Sequence, residues 1–357
     1  MNRQIRYYEA ILEATDQLME IDPSIYVMGL GVPDPKGIFG TTSGLEKKYG
    51  PDRIMDMPTS ENAMTGIAIG TAIAGMRPIM THQRVDFFIL ALDQLINNAA
   101  KWHYMFNGQM SVPLVIRLIM GRGWGQGPQH SQSLHALCAH IPGLKVVMPS
   151  NPYDAKGLLV SAIEDNNPVV FLEHRWLHGI FGEVPKEIYR VPLGKAKILQ
   201  EGSDITIVAA SHMTLEAWRA VQLLKNEGIS VEIIDVRSIR PLDEETICAS
   251  ITKTGRLIVV DPDWKSFGFA SEILALATEK SFSSLKCPPV RITYPDRITP
   301  TSWKLANHFY PTANHIALEI VKMMNKPLNA LKIAEEIRRL ADLEPLDVPD
   351  KEFCGPF

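Results

Sequence analysis

Residues 55–79 read MDMPTSENAMTGIAIGTAIAGMRPI, and this stretch decides how the rest of the chain is interpreted. A short strand ends at a proline, Thr59 or Ser60 can cap the helix that follows, and Glu61 falls in the first turn of that helix. Backbone N–H groups and the helix dipole favour a carboxylate there. Because open α/β sheets bind ligands at the carboxyl ends of their strands, Glu61 is either an ordinary helix-starting acid or a ligand-binding carboxylate.

The helix after Glu61 is rich in small residues, among them Gly66, Gly70, Ala72 and Gly75. A surface of glycine and alanine lets another backbone approach closely. This pattern indicates a contact with another helix or another subunit, although a buried core helix would look similar.

The alternation of strand and helix continues along the whole chain. Short β-branched runs predict strands at 25–28, 53–56, 77–80, 114–118, 145–148 and 169–173, and again at 205–209, 231–236, 257–261 and 290–294. Helical periodicity lies between them, at 63–74, 87–105, 152–164, 215–227, 244–252 and 270–279. This order is typical of parallel sheets wrapped by helices, so the predicted fold class is α/β, with two doubly wound, mostly parallel-sheet domains.

A proline-interrupted segment of weak periodicity separates the two groups of strands. It predicts a first domain at 1–183, a linker at 184–202, a second domain at 203–325 and a helical C-terminal extension at 326–357.

Composition excludes several classes of function. The 357 residues carry a net charge of −4, so the chain lacks the basic surface that nucleic acid binding needs. The four cysteines form no Cys-x-x-Cys pair, which predicts reduced thiols in a cytoplasmic protein. The N-terminus lacks the apolar run of a signal peptide, and the longest apolar stretch falls short of the ~20 residues that span a bilayer, so no membrane role is expected.

Two polar loops could carry chemistry. Residues 81–88, THQRVDFF, crowd polar side chains in front of an aromatic helix start, although such aromatics are more often core residues. Residues 120–140, MGRGWGQGPQHSQSLHALCAH, place glycines before His130 in a spacing that fits neither a dinucleotide nor a P-loop site. His130, His135 and His140 recur every five residues, on different helix faces, which argues against zinc. His130 is the best acid–base candidate, since its ordinary pKa lies near neutrality.

Several long runs resemble one known family. They are SENAMTGIAIGTAIAGMRPI, LDQLINNAAK, GPQHSQSLHA, PGLKVVMPSNPYDAKGLLVSAIEDNNPVVFLEH, GISVEIIDVRSIRPLDEETI and KTGRLIVVD. Together they resemble the beta subunit of thiamine-diphosphate-dependent 2-oxo acid dehydrogenases, the decarboxylating component of the pyruvate, branched-chain and acetoin dehydrogenase complexes and a relative of transketolase. The resemblance implies a pyrimidine-binding domain followed by a transketolase C-terminal domain.

The resemblance also implies roles for individual residues. Glu61 matches the glutamate that hydrogen-bonds ring nitrogen N1′ of the cofactor and so activates its thiazolium carbon. Phe87 matches the aromatic residue that stacks on the pyrimidine ring, and Gln83 lies in the same cofactor-binding segment. His130 matches the active-site histidine that faces the substrate and the acyl acceptor. Main-chain carbonyls that hold potassium in some members match Leu114, Ala162, Asp165 and Asn167, although an ordinary turn is an equally good interpretation.

One family feature is absent from this sequence. The Gly-Asp-Gly motif, which helps to hold the magnesium ion that anchors the cofactor's diphosphate, does not occur. The resemblance therefore implies an alpha subunit that supplies magnesium and the diphosphate site, in an α2β2 heterotetramer with thiamine diphosphate at the interface. It also suggests a lipoyl acyltransferase core as a further partner.

The expected function is that of a 2-oxo acid dehydrogenase beta subunit, active with its alpha subunit, which decarboxylates a 2-oxo acid and passes the acyl group to a lipoyl carrier. The alternative is a split transketolase-like synthase or a non-oxidative decarboxylase without lipoyl transfer. Three departures from the family keep the alternative open: Leu30 stands where a carboxylate is usual, Arg84 puts a cation near the cofactor pocket, and the tail extends beyond Met324.

Overall fold

The chain is described from a computed structural model that covers residues 3–121, 125–224 and 227–325. Its strands are β1 (Gln4–Arg6), β2 (Ile25–Met28), β3 (Ile54–Met55), β4 (Arg77–His82), β5 (Val115–Met120), β6 (Lys145–Val147), β7 (Val169–His174), β8 (Phe181–Glu183), β9 (Lys197–Gln200), β10 (Ile205–Ala209), β11 (Val231–Asp235), β12 (Ser238–Arg240), β13 (Leu257–Trp264) and β14 (Val290–Tyr294). Its α-helices are α1 (Tyr7–Ile21), α2 (Leu45–Tyr49), α3 (Glu61–Ile73), α4 (Val85–Phe88), α5 (Ala100–Met105), α6 (His135–Ala139), α7 (Pro152–Glu164), α8 (His212–Leu223), α9 (Glu244–Thr254), α10 (Phe269–Ser281), α11 (Trp303–Phe309) and α12 (Ala313–Met323).

A seven-stranded sheet organises the amino-terminal half, in the order β12-β6-β7-β5-β4-β2-β3. All neighbours in it are parallel except β12 and β6. Alternate residues of each strand face opposite cores: Val115 packs in the layer of α1 and α7, whereas Ile116 packs in the layer of α3. Because both faces are covered, β5 and β7 are buried along their whole length, as parallel strands usually are.

A five-stranded sheet organises the carboxyl-terminal half, in the order β14-β13-β10-β11-β9, with only β9 antiparallel to its neighbour. Helices α8 and α12 close one face through a core that includes Met213, Ala217, Ile316 and Ile320. The predicted α/β class with two mostly parallel sheets is therefore confirmed, and every strand predicted from the β-branched runs is present.

The structure differs from the sequence-based predictions in three places. The segment predicted as a linker, 184–202, contains β9, which pairs with β11 and so belongs to the second sheet. Strand β12 lies in the second half of the chain but pairs with β6 of the first sheet. The helix predicted at 87–105 consists of α4, a 3₁₀ turn (Ile89–Ala91), a π-helical segment (Gln94–Ala99) and α5. The predicted domain boundaries themselves stay predictions, and the predicted extension 326–357 lies outside the described residues.

Among the described residues, no helix has both the length and the apolar content required to cross a lipid bilayer.

Candidate active site

The loops that carry the predicted site residues gather at one edge of the seven-stranded sheet. Strands β2, β3, β4, β5 and β7 run parallel, so the segments that follow them emerge on the same side. Glu61 follows β3, Gln83 and Phe87 follow β4, and His130 follows β5. The fold thus brings the sequence-predicted catalytic and cofactor-binding residues to the carboxyl edge, where α/β sheets bind ligands.

Glu61 is the first residue of α3 and is buried, with 7% of its surface exposed. Neither Ser60 nor another side chain caps this helix start. Among the described residues, the Glu61 carboxylate has no hydrogen bond or ion pair, unlike most buried acids. A buried carboxylate with free oxygens beside a helix N-terminus is suited to bind a polar group from a ligand.

Gln83 ties neighbouring loops of this edge together. Its side-chain amide donates to the carbonyl oxygen of Leu30, at 3.1 Å. The next residue, Gly31, donates its backbone N–H to the Asp56 carboxylate, at 2.9 Å. These bonds join the ends of β4, β2 and β3, and so hold the loop that precedes Glu61.

Phe87 and His130 are in direct contact. Their ring centroids lie 5.1 Å apart with the planes at 88°, an edge-to-face pair. The loop carrying His130 is held by Asp86, whose carboxylate accepts from the backbone N–H and the side-chain amide of Gln132 at 3.3 and 2.8 Å. Gly127 in that loop has φ +67°, and a Cβ there would lie 2.4 Å from the Thr301 hydroxyl, so the close approach requires glycine.

Within the described part of the chain, no hydrogen bond or ion pair joins Glu61 to His130. The edge therefore presents two groups: a free carboxylate at the start of α3, and an aromatic–imidazole pair after β4 and β5.

Sequence reasoning found Arg84 but not its surroundings. Arg84 is buried, with 4% of its surface exposed, and donates to the side-chain oxygen of Gln126. Its guanidinium carbon lies 5.9 Å from the centre of the Phe39 ring, and that of Arg175, after β7, lies 4.1 Å from the same ring. Burial lowers the pKa of Arg84 to about 10, although Asp86 opposes the shift. Burial and the charge of Arg84 lower the pKa of Arg175 to about 9.

The turn predicted to hold potassium already carries a cation. Arg77 donates from one guanidinium nitrogen to the carbonyl oxygens of Ile163 and Asp165, at 2.9 and 3.1 Å. The carbonyl of Leu114 accepts from the backbone N–H of Val169. An ion here would have to share the Asp165 carbonyl with the guanidinium, so the potassium site stays a prediction.

A second polar cluster, which was not predicted, joins α6 to β13. His135 Nε2 lies 2.8 Å from Asp261 Oδ1 and 3.7 Å from Asp263 Oδ2, and all three residues are buried. Burial lowers the pKa of His135, but the two carboxylates outweigh it and the net shift is upward, while burial raises the pKa of Asp263 to about 6. Asp263 lines a cavity of about 1000 Å³ between α6, α9 and α10, to which no candidate residue of the sheet edge contributes.

Comparison with known proteins identifies the family of the chain. Residues 3–179 match the pyrimidine binding domain of transketolase, and residues 194–316 match the transketolase C-terminal domain. The chain is 43% identical to the beta subunit of the acetoin:2,6-dichlorophenolindophenol oxidoreductase of Cupriavidus necator. The alignment spans 334 residues, or 91% of this chain and 98% of that protein. The chain belongs to the family of transketolase-like dehydrogenase beta subunits.

Other members of this beta-subunit family match over a similar length. The pyruvate dehydrogenase E1 component subunit beta of Acholeplasma laidlawii is 45% identical over 320 residues, or 89% of this chain and 98% of that protein. A solved "split gene transketolase, inactive beta4 tetramer" superposes with a TM-score of 0.73 over 89% of this chain and 98% of that one. Its sequence identity is 24%, so that likeness concerns the fold alone.

Proposed function

We propose that the chain is the beta subunit of a heteromeric, thiamine-diphosphate-dependent 2-oxo acid dehydrogenase, which decarboxylates a 2-oxo acid and passes the acyl group to a lipoyl carrier. The observation that carries the proposal is Glu61: a buried carboxylate without a partner, at the start of α3 and at the ligand-binding edge of the sheet. Membership of the beta-subunit family supports the proposal.

The residues present fit the aminopyrimidine half of the cofactor. The free oxygens of Glu61 would hold ring nitrogen N1′, and Phe87 would provide the stacking face, with Gln83 fixing the neighbouring loops. When bound, thiamine diphosphate supplies the nucleophilic carbon that attacks the 2-oxo group. His130, in contact with Phe87, would hold or deliver a proton at the substrate oxygen and face the acyl acceptor.

The other half of the cofactor site belongs to an alpha subunit in this proposal. No Gly-Asp-Gly motif occurs in the sequence, so magnesium and the diphosphate would be held by the partner. We propose an α2β2 heterotetramer in the cytoplasm, with a lipoyl acyltransferase core as the acceptor complex. Any potassium would bind at the 162–167 turn, and a thermal midpoint that is higher in potassium than in sodium would support it.

Reconstitution tests the proposed function. The chain is co-expressed with an alpha subunit that carries Gly-Asp-Gly, and 2-oxo-acid-dependent acylation of lipoamide is measured. We expect turnover only when both subunits, thiamine diphosphate and magnesium are present. In calorimetry, the lone chain should bind thiamine diphosphate weakly or not at all. Tight binding by the lone chain, or no lipoamide acylation by the assembled pair, contradicts the proposal.

A further inference from the structure

Two buried guanidinium groups converge at the same sheet edge as the candidate active site. Arg84 follows β4 and Arg175 follows β7. Both contact the ring of Phe39, which lies in the loop after β2. Phe39 has φ +51°, a left-handed conformation that costs a bulky residue energy and that tends to occur at functional sites. Three segments that are distant in sequence thus place two cations around one aromatic ring.

Arg84 forms no ion pair within the described residues. No carboxylate lies within ion-pair distance of it, and its hydrogen bond goes to the neutral side chain of Gln126, an exposed residue. The Nη1 atom is buried and has no hydrogen-bond partner. Asp86 is the acidic group whose charge acts on Arg84; its Oδ1 is bonded to Gln132, and its Oδ2 is buried without a hydrogen-bond partner and forms no ion pair with Arg84.

Burying a cation beside a second cation is costly unless a counter-charge is supplied. Both guanidinium groups stay protonated near neutral pH, because even the lowered pKa of Arg175 is about 9. An anionic ligand that displaces the Gln126 amide would give Arg84 a hydrogen bond to a charged acceptor in place of a neutral one. The arrangement therefore favours a bound anion.

We propose that Arg84 and Arg175 form a recognition site for a second anionic group on the substrate, so that this subunit selects 2-oxo acids whose side chain ends in a carboxylate or another oxyanion. The proposal rests on the proposed function and adds the substrate class to it. Arg84 binds the anion and Arg175 adds positive charge beside it. Phe39 holds both guanidinium groups in place.

The anion is not the carboxylate that every 2-oxo acid carries next to its keto group. Decarboxylation removes charge from that carboxylate as carbon dioxide leaves. A cation that binds it stabilises the starting state more than the transition state and so slows the reaction. A cation pair is useful only for an anion that keeps its charge throughout, which is a group on the side chain.

The test compares substrates on the assembled enzyme. The specificity constant kcat/KM is measured for a 2-oxo acid with a terminal carboxylate and for a neutral 2-oxo acid of the same chain length. We expect the wild-type enzyme to prefer the anionic substrate. In Arg84→Met, kcat/KM for the anionic substrate should fall about tenfold to a hundredfold more than for the neutral one, the usual effect of losing a charged hydrogen bond. Arg84→Lys, which keeps the charge, should recover part of the preference.

A matched control uses Arg190, an exposed arginine paired with Glu164 away from the site. Arg190→Met should leave both specificity constants unchanged. A preference of the wild-type enzyme for the neutral substrate overturns the proposal. An equal loss of kcat/KM for both substrates in Arg84→Met also overturns it, because Arg84 would then bind the carboxylate that both substrates share.

A binding measurement separates this inference from the proposed function. Glutarate, a dicarboxylate that cannot react, should raise the thermal midpoint of the wild-type complex but not that of Arg84→Met. If glutarate protects and no 2-oxo acid is turned over, the anion site stands and the dehydrogenase assignment fails. If 2-oxo acids are turned over and glutarate does not protect, the anion site fails alone.

Discussion

Glu61 combines two properties that an ordinary helix-starting acid lacks, burial and free carboxylate oxygens. We expect Glu61→Gln to abolish turnover of the assembled enzyme, because an amide of nearly the same shape cannot share a proton with the cofactor ring nitrogen. The thermal midpoint should change little, since no partner is lost. Steady-state kinetics and thermal unfolding check both parts, and near-wild-type rates in this variant would contradict the assignment.

Arg117 and Glu173 form a buried, two-pronged ion pair with N–O distances of 2.6 and 3.0 Å. Burial raises the pKa of Glu173, but Arg117 and His178 outweigh it and the net shift is downward, so the carboxylate stays charged. Arg117→Met leaves that charge without its main partner, and we expect a loss of about 3–5 kcal/mol in the free energy of unfolding.

Urea unfolding measures this loss. Adding Glu173→Leu to Arg117→Met should restore much of the stability, because the unpaired charge is then removed as well. Arg190→Met breaks an exposed pair that water screens, so it should cost much less than Arg117→Met. If Arg117→Met and Arg190→Met lowered the free energy of unfolding equally, burial would not determine how much an ion pair contributes to stability.

Much of the site could be predicted at the level of single residues, because Glu61, Gln83, Phe87 and His130 stand in recognisable runs. The roles assigned to them stay predictions. Phe39 and Arg175 could not be found this way. They matter because the folded chain brings the loops after β2 and β7 into contact with Arg84. No residue spacing in the sequence predicts that contact.

At the level of elements, the exposed face of α3 carries the small residues Ala63 and Gly70 beside Ile67, which is 52% exposed. A Cβ at Gly70 would meet no atom within 4 Å in the chain alone. We expect Gly70→Leu to leave the lone chain folded, since leucine is the better helix former. It should weaken association with the alpha subunit if this face lies in the proposed subunit contact.

Analytical ultracentrifugation of the mixed subunits measures that association. Ala249→Leu makes a similar change at an exposed position of α9 and serves as the control. Unimpaired assembly of Gly70→Leu would exclude this face of α3 from the contact.

Elements with a long periodic pattern were predictable, and short ones were not. The periodic pattern of α7 predicted the observed bounds, 152–164, and the structure adds that the Asn151 side chain caps its start. Helix α2, with five residues, and strand β9, with four, carry too little pattern to separate them from loops. Strand β9 is also half exposed, so its alternation is weak, and this is why its segment resembled a linker.

At the level of the whole molecule, the two halves meet through a buried carboxyl group. Asp235, at the end of β11, accepts a hydrogen bond from Ser150 of the first half at 2.5 Å. Burial, helped by Asp154, raises the pKa of Asp235 from 3.8 to about 7. The folded chain thus holds this proton more tightly than the unfolded chain, so the stability it contributes is complete below pH 4 and is lost as the pH rises through about 7.

We therefore expect the free energy of unfolding to fall between pH 5 and pH 8 by about 2–3 kcal/mol more in the wild type than in Asp235→Asn. Urea unfolding at the two pH values measures the difference. Asp52→Asn, at an exposed position, should follow the wild type. A pH dependence in Asp235→Asn equal to that of the wild type would contradict the inferred direction.

Strand β12 makes the first sheet depend on a segment of the second half of the chain. It comes from the second half but caps the first sheet by pairing with β6. A fragment ending within 184–202 would lack β12, so β6 would become an edge strand with unpaired backbone N–H and C=O groups. Such edge strands can pair with strands of other molecules, which promotes aggregation. Dividing the chain within the predicted linker 184–202 would therefore give an aggregation-prone amino-terminal fragment. A split version of this gene that yields two soluble pieces would have to be divided at another position.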